Sequence, residues 1–301
     1  MRVISRAELV QAIASLGLTP TRAAADLAAV GDDRAVVDLG DEDGSVVAYF
    51  SDLIDQRANF ERLLFDLRAR ESEVVAGAIA RARTLLPPSV RLDEVRLVFV
   101  PLGLDFRTDA ATVFMDPRAA VDLGLDGVAS TLAHELHHVG RYRFSGENLT
   151  LMRPHPTGSP REMADLVRRW AAWLEAEGIA DAVSNVTETD VPILHAAVER
   201  RRRQLREYPT LLQDALREID RAADYATETD LAGLDAVAGR LLELAHPIGA
   251  RMAEVVLRAA GRRGLVECVG APGRFVARYN AAASAAGVPV FGERFMRWLD
   301  A

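Results

Sequence analysis

Thr131-Leu132-Ala133-His134-Glu135-Leu136-His137-His138-Val139-Gly140 is the stretch around which the rest of the chain can be placed. It holds an H-E-x-x-H pattern, with His134 and His138 four residues apart and Glu135 directly after the first. On a helix, residues i and i+4 lie about 40° apart on one face. Two imidazoles so placed can grip one metal ion while the neighbouring glutamate reaches water bound to it. His137 is rotated about 60° from His134 and about 100° from His138, which puts it on the flank of such a helix. A catalytic metal needs a third protein ligand and one open position, so the flanking sequence has to supply the ligand.

Upstream of the motif, Glu94 to Gly103 forms the clearest strand and Ala111 to Pro117 a second one, separated by the polar connection Asp105 to Asp109. Two strands and a short loop predict an antiparallel pair. The motif helix then starts from about Asp126 or Gly127. Further back, Asp52 to Leu86 carries apolar residues at three- and four-residue spacing, a helical pattern ended by Pro87-Pro88. Ala35 to Leu39 and Ser45 to Phe50 flank the acidic stretch Gly40 to Gly44 and read as a hairpin, and residues 5–30 as two short helices.

Downstream, residues 144–160 contain Gly146, Pro154, Pro156, Gly158 and Pro160 and form the main irregular segment. Helical patterning resumes at Pro160 and runs through Trp170 and Trp173 towards Ala182, and the remainder is a series of helices. Thr187-Glu188-Thr189-Asp190 and Thr227-Glu228-Thr229-Asp230 are read as two similar helix N-caps with acidic first turns. The basic run Arg200 to Arg203 reads as a solvated, ion-paired face. His155 and His195 read as ordinary polar residues.

The helix after the irregular segment carries Glu177-Gly178-Ile179-Ala180-Asp181, with Glu177 and Asp181 again at i and i+4. Together, His134-Glu135-Leu136-His137-His138 and this second motif resemble the gluzincins, the thermolysin-like zinc metallopeptidases. The metzincin continuation is absent, because Arg141 and Phe144 stand where that class has glycine and histidine. The resemblance implies Zn2+ as the cofactor, Glu177 as the third ligand and Asp181 as the carboxylate that orients His134. A carboxylate behind a ligand histidine fixes its tautomer and raises its basicity. The departure is spacing: 38 residues separate His138 from Glu177, about twice the number in the better-known members. The irregular segment can absorb the excess, but it leaves Glu162 as a competitor for third ligand, with Glu147 and Glu175 behind it. The stretches Ala245 to Met252 and Phe275 to Asn280 are similar to segments of a poorly characterised family described as zinc-dependent peptidases.

The fold implied is α+β and predominantly helical. A zincin-like core over 91–188, with a small antiparallel strand region and both motif helices, would be flanked by a mainly helical subdomain at 1–90 and a helical one at 189–301 that closes the cleft. The activity implied is zinc-dependent peptide hydrolysis by a zinc-bound water, with Glu135 as general base. A developing oxyanion needs a further donor. The family keeps such donors in its C-terminal half, where His246 precedes Pro247 at a helix start, so His246 is the first candidate and Tyr279 the second. Residues 111–115 are the expected edge strand, to which a peptide or protein substrate adds by backbone hydrogen bonds. Competing expectations are a non-catalytic zinc-binding regulatory or interaction protein derived from a peptidase, and hydrolysis of a non-peptide amide. Glu135 speaks against the former, since a structural site needs no base.

Composition narrows the remaining classes. Of 301 residues half are hydrophobic, enough for a sizeable core, and the net charge of −8 argues against a nucleic-acid surface. All 36 basic residues are arginine, which excludes a Schiff-base lysine, and the single cysteine, Cys268, excludes an intrachain disulfide or a cysteine-rich zinc cluster. No uncharged apolar run reaches the length of a membrane span, and no apolar stretch marks the N-terminus as secretory, so a cytoplasmic protein is expected.

Overall fold

A computed structural model describes residues 2–5, 34–37, 46–100, 106–108, 111–146, 163–184, 203, 206–225 and 231–300. The expected helices within 5–30, most of the 144–160 segment, both Thr-Glu-Thr-Asp caps, Arg200 to Arg202, and Glu147, His155, Glu162 and His195 fall outside these residues. The described architecture is α+β and predominantly helical, with strands β1 (Arg2–Ser5) to β5 and helices α1 (Val46–Asp55) to α10 (Glu293–Asp300).

β1 pairs antiparallel with β2 (Arg34–Val37). The hairpin predicted over 35–50 is therefore corrected: the second half, Val46 to Phe50, opens helix α1. Its β-branched and aromatic residues suggested a strand, but Val46, Phe50, Leu53 and Ile54 recur at helical spacing, and periodicity outranks intrinsic β preference. The helical pattern from Asp52 to Leu86 resolves into the end of α1, α2 (Arg57–Ala69) and α3 (Glu71–Arg83).

The second sheet has the order β3-β5-β4, with β3 (Arg96–Phe99) parallel to β5 (Thr112–Met115) and β4 (Phe106–Thr108) antiparallel to it. This corrects two expectations. The strand pair is parallel, because residues 100–111 between its members are long enough for a crossover and carry β4 rather than a polar loop. And 112–115 is the central strand, not an edge, with Val113 and Met115 fully buried.

Helix α4 (Pro117–Ser145) carries the H-E-x-x-H motif and starts earlier than predicted. Asp116 is its N-cap: the side chain accepts hydrogen bonds from the amides of Arg118 at 2.9 Å and Ala119 at 3.0 Å, and Pro117 occupies the first turn. Gly124, at φ 62° and ψ −176°, breaks the helix and leaves the motif on the uninterrupted stretch that follows, close to the predicted start. Gly146, at φ 74°, closes it, its amide bonded to Tyr142 O at 2.7 Å.

α5 (Met163–Ser184) is buried along most of its length, and it is sandwiched by α4 and α8 (Ala245–Val266). The other C-terminal helices are α6 (Tyr208–Tyr225), α7 (Leu231–Glu243), α9 (Pro272–Ala286) and α10. The main core joins Leu132, Leu136 and Val139 of α4 to Leu166, Trp170 and Leu174 of α5, Ile248 and Met252 of α8, and Phe275 and Tyr279 of α9. Among the described residues no helix is long and apolar enough to cross a membrane.

Candidate metal centre

One helical turn on α4 brings His134 Nε2 to 3.0 Å from His138 Nε2, with the rings edge to face at a centroid separation of 4.7 Å. Glu135 is buried beside them. Apolar neighbours in the motif, Leu132, Leu136 and Val139, turn the rest of the helix into the core and so leave the imidazoles to face α5.

α5 contributes Glu177 and Asp181 from successive turns of the same face. Glu177 Oε2 lies 3.3 Å from His134 Nε2 and 3.3 Å from His138 Nε2. His246, from the first turn of α8, places its Nε2 at 3.3 Å from the same oxygen. Asp181 stands behind, with Oδ1 at 3.3 Å from His134 Nδ1 and Oδ2 at 3.3 Å from His246 Nδ1. The structure thus brings together His134, His138, Glu177, Asp181 and His246, residues from three helices separated by more than a hundred positions of sequence, with Glu135 buried next to His134 in the chain.

Glycine makes the α8 contribution possible. A Cβ at Gly178 would lie 2.9 Å from Gly249 Cα and nearer still to the Gly249 carbonyl. A Cβ at Gly249 would lie 3.0 Å from Gly178 N and nearer still to Leu174 O. The two backbones touch, and that contact sets His246, one turn before Gly249, against Glu177, the neighbour of Gly178.

Electrostatics distinguish this cluster from an ordinary buried carboxylate. Burial pushes the Glu177 carboxyl up, but the surrounding imidazoles of His246, His138 and His134 outweigh it and hold the group well below the usual carboxylate range. Glu177 Oε2 is nevertheless buried without a hydrogen bond of acceptable geometry, although three imidazole nitrogens stand at 3.3 Å. Such a buried, charged and unsatisfied acceptor is costly unless a cation completes it.

His134 Nε2, His138 Nε2 and Glu177 Oε2 form a triangle with edges of 3.0, 3.3 and 3.3 Å. A tetrahedral zinc with bonds of about 2.0–2.1 Å has ligand-to-ligand edges of about 3.3–3.4 Å. The donor set of two imidazoles and one carboxylate also suits that ion, so these residues fit it. His134, Asp181 and His246 form a second group of convergent donors that shares His134 with the first.

The other sequence candidates separate cleanly. Tyr279 is fully buried, and its hydroxyl is held in the core by Tyr208 and by the Pro289 carbonyl, so the structure does not bring it to the cluster. Glu175 is not a ligand either. It is buried in an ion pair with Arg141 of α4, Arg141 Nε to Glu175 Oε2 at 2.7 Å, and its other oxygen accepts from Gly270 N at 3.1 Å. Sequence reasoning missed this pair, although Arg141 at i+3 from His138 and Glu175 two residues before Glu177 were a signal that charges couple the two helices. His137 is fully buried on the far flank, with Nε2 3.3 Å from Leu85 O. Burial, aided by His138 and His134, lowers its pKa from 6.5 to about 3, so it is a neutral packing residue.

The profile of the family described as "Putative zinc dependent peptidase (DUF5700)" matches residues 22–286, which include every member of the cluster. No curated protein and no solved structure matches the chain.

Proposed function

This chain belongs to that zinc-dependent peptidase family, and we propose that it is an active peptidase of gluzincin type, with a zincin-like core and a peptide or protein as substrate. His134, His138 and Glu177 would hold one zinc ion, with Asp181 orienting His134. The observation that carries this is the convergence of imidazole nitrogens on a buried Glu177 oxygen that no hydrogen bond satisfies.

Zinc, when bound, supplies Lewis-acid polarisation of a carbonyl and lowers the pKa of coordinated water towards about 7. The protein's own residues then have separate tasks. Glu135, buried next to His134 and outside the ligand triangle, accepts the proton of the attacking water and passes it to the leaving amine. His246 has its Nδ1 engaged by Asp181 and its side chain 46% exposed, so its Nε2 borders the open side of the cluster. Its Nε2 would supply a hydrogen bond to the developing oxyanion. The apolar helix faces around the cluster exclude bulk water, which strengthens both interactions. Substrate addition to a strand edge passes from 112–115, which is central, to β4, an edge strand that packs on α4.

The test is elemental analysis combined with cleavage of a mixed peptide library by wild type and Glu135→Gln. Both proteins should hold about one zinc per chain, and only wild type should cleave, because the substitution removes the base and leaves the ligands. Zinc without cleavage by wild type would refute the catalytic reading in favour of a binding module. His138→Ala should lose the metal; full occupancy in that variant would refute the ligand assignment.

A further inference from the structure

Arg141 and Glu175 bury two opposite charges within one helical turn of His138 and Glu177. Their side chains are 1% and 0% exposed, and the arginine directs two N–H groups at one carboxylate oxygen, Nε at 2.7 Å and Nη2 at 2.6 Å. The other oxygen accepts from Gly270 N at 3.1 Å. Gly270 stands between α8 and α9 at φ 67°, where a Cβ would lie 2.8 Å from Ser145 Cβ at the end of α4. One carboxylate on α5 thus holds both α4 and the connection from α8 to α9. Arg141 follows His138 by three residues and Glu175 precedes Glu177 by two, so this junction and the ligand cluster share the same stretch of both helices.

Stability alone does not account for the pair. Replacing a buried ion pair with apolar residues of similar volume is often neutral or stabilising, because desolvation offsets the attraction. Leu136 and Val139 of α4 and Leu166 and Leu174 of α5 already belong to one apolar core. What the pair adds is direction. Apolar contact is non-directional and lets packed helices slide, whereas two N–H groups converging on one oxygen fix both a distance and an angle. A metal centre needs that, since its bond lengths hold to about 0.2 Å. We propose that Arg141 and Glu175 are positioning residues, whose ion pair sets the height and rotation of α5 on α4 at which Glu177 closes the ligand triangle with His134 and His138. Gly270 N holds the second oxygen and so fixes the plane of the carboxylate. This role rests on the metal-centre reading and gives the ligand spacing a cause outside the ligands.

The experiment compares the full-length wild type with Arg141→Met/Glu175→Gln and with Arg141→Lys. Stability is read by urea denaturation in chelator, so that bound metal does not contribute. Zinc affinity is read by competition with a chromophoric chelator, and ligand geometry by the visible absorption of the Co2+-loaded protein. The double variant should keep most of the wild-type stability, yet its zinc affinity should fall about 10–100-fold, as for other residues that hold ligands in place, and its Co2+ bands should shift. Arg141→Lys keeps the charge but loses the paired N–H groups, so it should show a smaller change in the same direction. Wild-type affinity and an unchanged Co2+ spectrum in the folded double variant overturn the proposal. Where the double variant fails to fold, Arg141→Lys decides: wild-type affinity and spectrum there overturn it equally. Wild type that binds neither zinc nor Co2+ is a different result, which removes the metal centre itself and leaves the pair nothing to position.

Discussion

Gly178→Ala should destabilise the protein, although alanine is the better helix former. In an open helix position the replacement gains about 1 kcal/mol from backbone entropy and propensity. At Gly178 the added carbon would lie 2.9 Å from Gly249 Cα and closer to its carbonyl. Ordinary carbon contacts need about 3.5–4.0 Å, so α5 and α8 must part by at least ~0.6 Å. Neither side can yield cheaply, because both contacts are helix backbone. Overpacking of this kind costs about 1–3 kcal/mol, and separation of rigid backbones belongs at the upper end, so a net loss of about 2 kcal/mol is expected after the propensity gain. Gly77 is the internal control: it is exposed on α3 and a Cβ there meets nothing within 4 Å. Urea denaturation of both variants should give opposite signs, with Gly77→Ala stabilised. Gly178→Ala should also lose zinc affinity, since the helix that bears Glu177 and Asp181 is displaced. If the two alanine variants are stabilised alike, the backbone contact is wrong, and with it the account of how His246 reaches the cluster.

Arg141→Met leaves Glu175 buried without its cation and should cost about 3–5 kcal/mol, whereas Arg141→Met/Glu175→Gln, which keeps an acceptor for Gly270 N, should recover much of the loss; a single variant as stable as wild type in urea titrations would contradict the buried pair. His137 is held neutral in the fold, with its pKa lowered from 6.5 to about 3. Its contribution is therefore fully present above pH 6.5 and is lost as pH falls towards 3, by up to about 5 kcal/mol in all. In the metal-free protein His137→Gln should flatten the slope of stability against pH in that window, and equal slopes would refute the assignment. Burial raises the Cys268 thiol from 9.0 to about 11, so native protein should resist thiol alkylation at neutral pH and become reactive only on unfolding.

What was legible in the sequence follows from how local each signal is. The motif helix, the second motif on α5 and the helical C-terminal half are properties of short windows: apolar periodicity, a glycine stop, paired polar residues at i and i+4. Topology is not local. Within the expected strands 94–103 and 111–117 the structure has strands at 96–99 and 112–115, but their relative direction depended on the connection between them, and Phe106 to Thr108 are too few to announce a strand by alternation. The same gap hid the edge, since a strand becomes central only when its second partner is known. The error at Val46 to Phe50 was of another kind: five residues rich in β-branched and aromatic side chains carry a strand signal, and the helix appears only when the window extends to Leu53 and Ile54.

The cluster itself shows how a weak sequence signal becomes a specific one. H-E-x-x-H fixes two nitrogens by helix geometry alone, and the E-x-x-x-D spacing fixes two carboxylates on a second helix, but neither motif says how far apart the helices stand. That distance is set elsewhere. Arg141 and Glu175 tie α4 to α5 below the cluster, and Gly178 and Gly249 press α5 onto α8 beside it. The glycine inside Glu177-Gly178-Ile179-Ala180-Asp181 is thus accounted for by the His246-Pro247-Ile248-Gly249 segment, whose own glycine meets it. Two stretches 65 or more residues apart in sequence each carry a small residue beside a polar one, because the polar pair converges only where the small pair lets the helices touch. Substituting either glycine should therefore act on zinc affinity by moving helices, although no ligand residue is itself replaced.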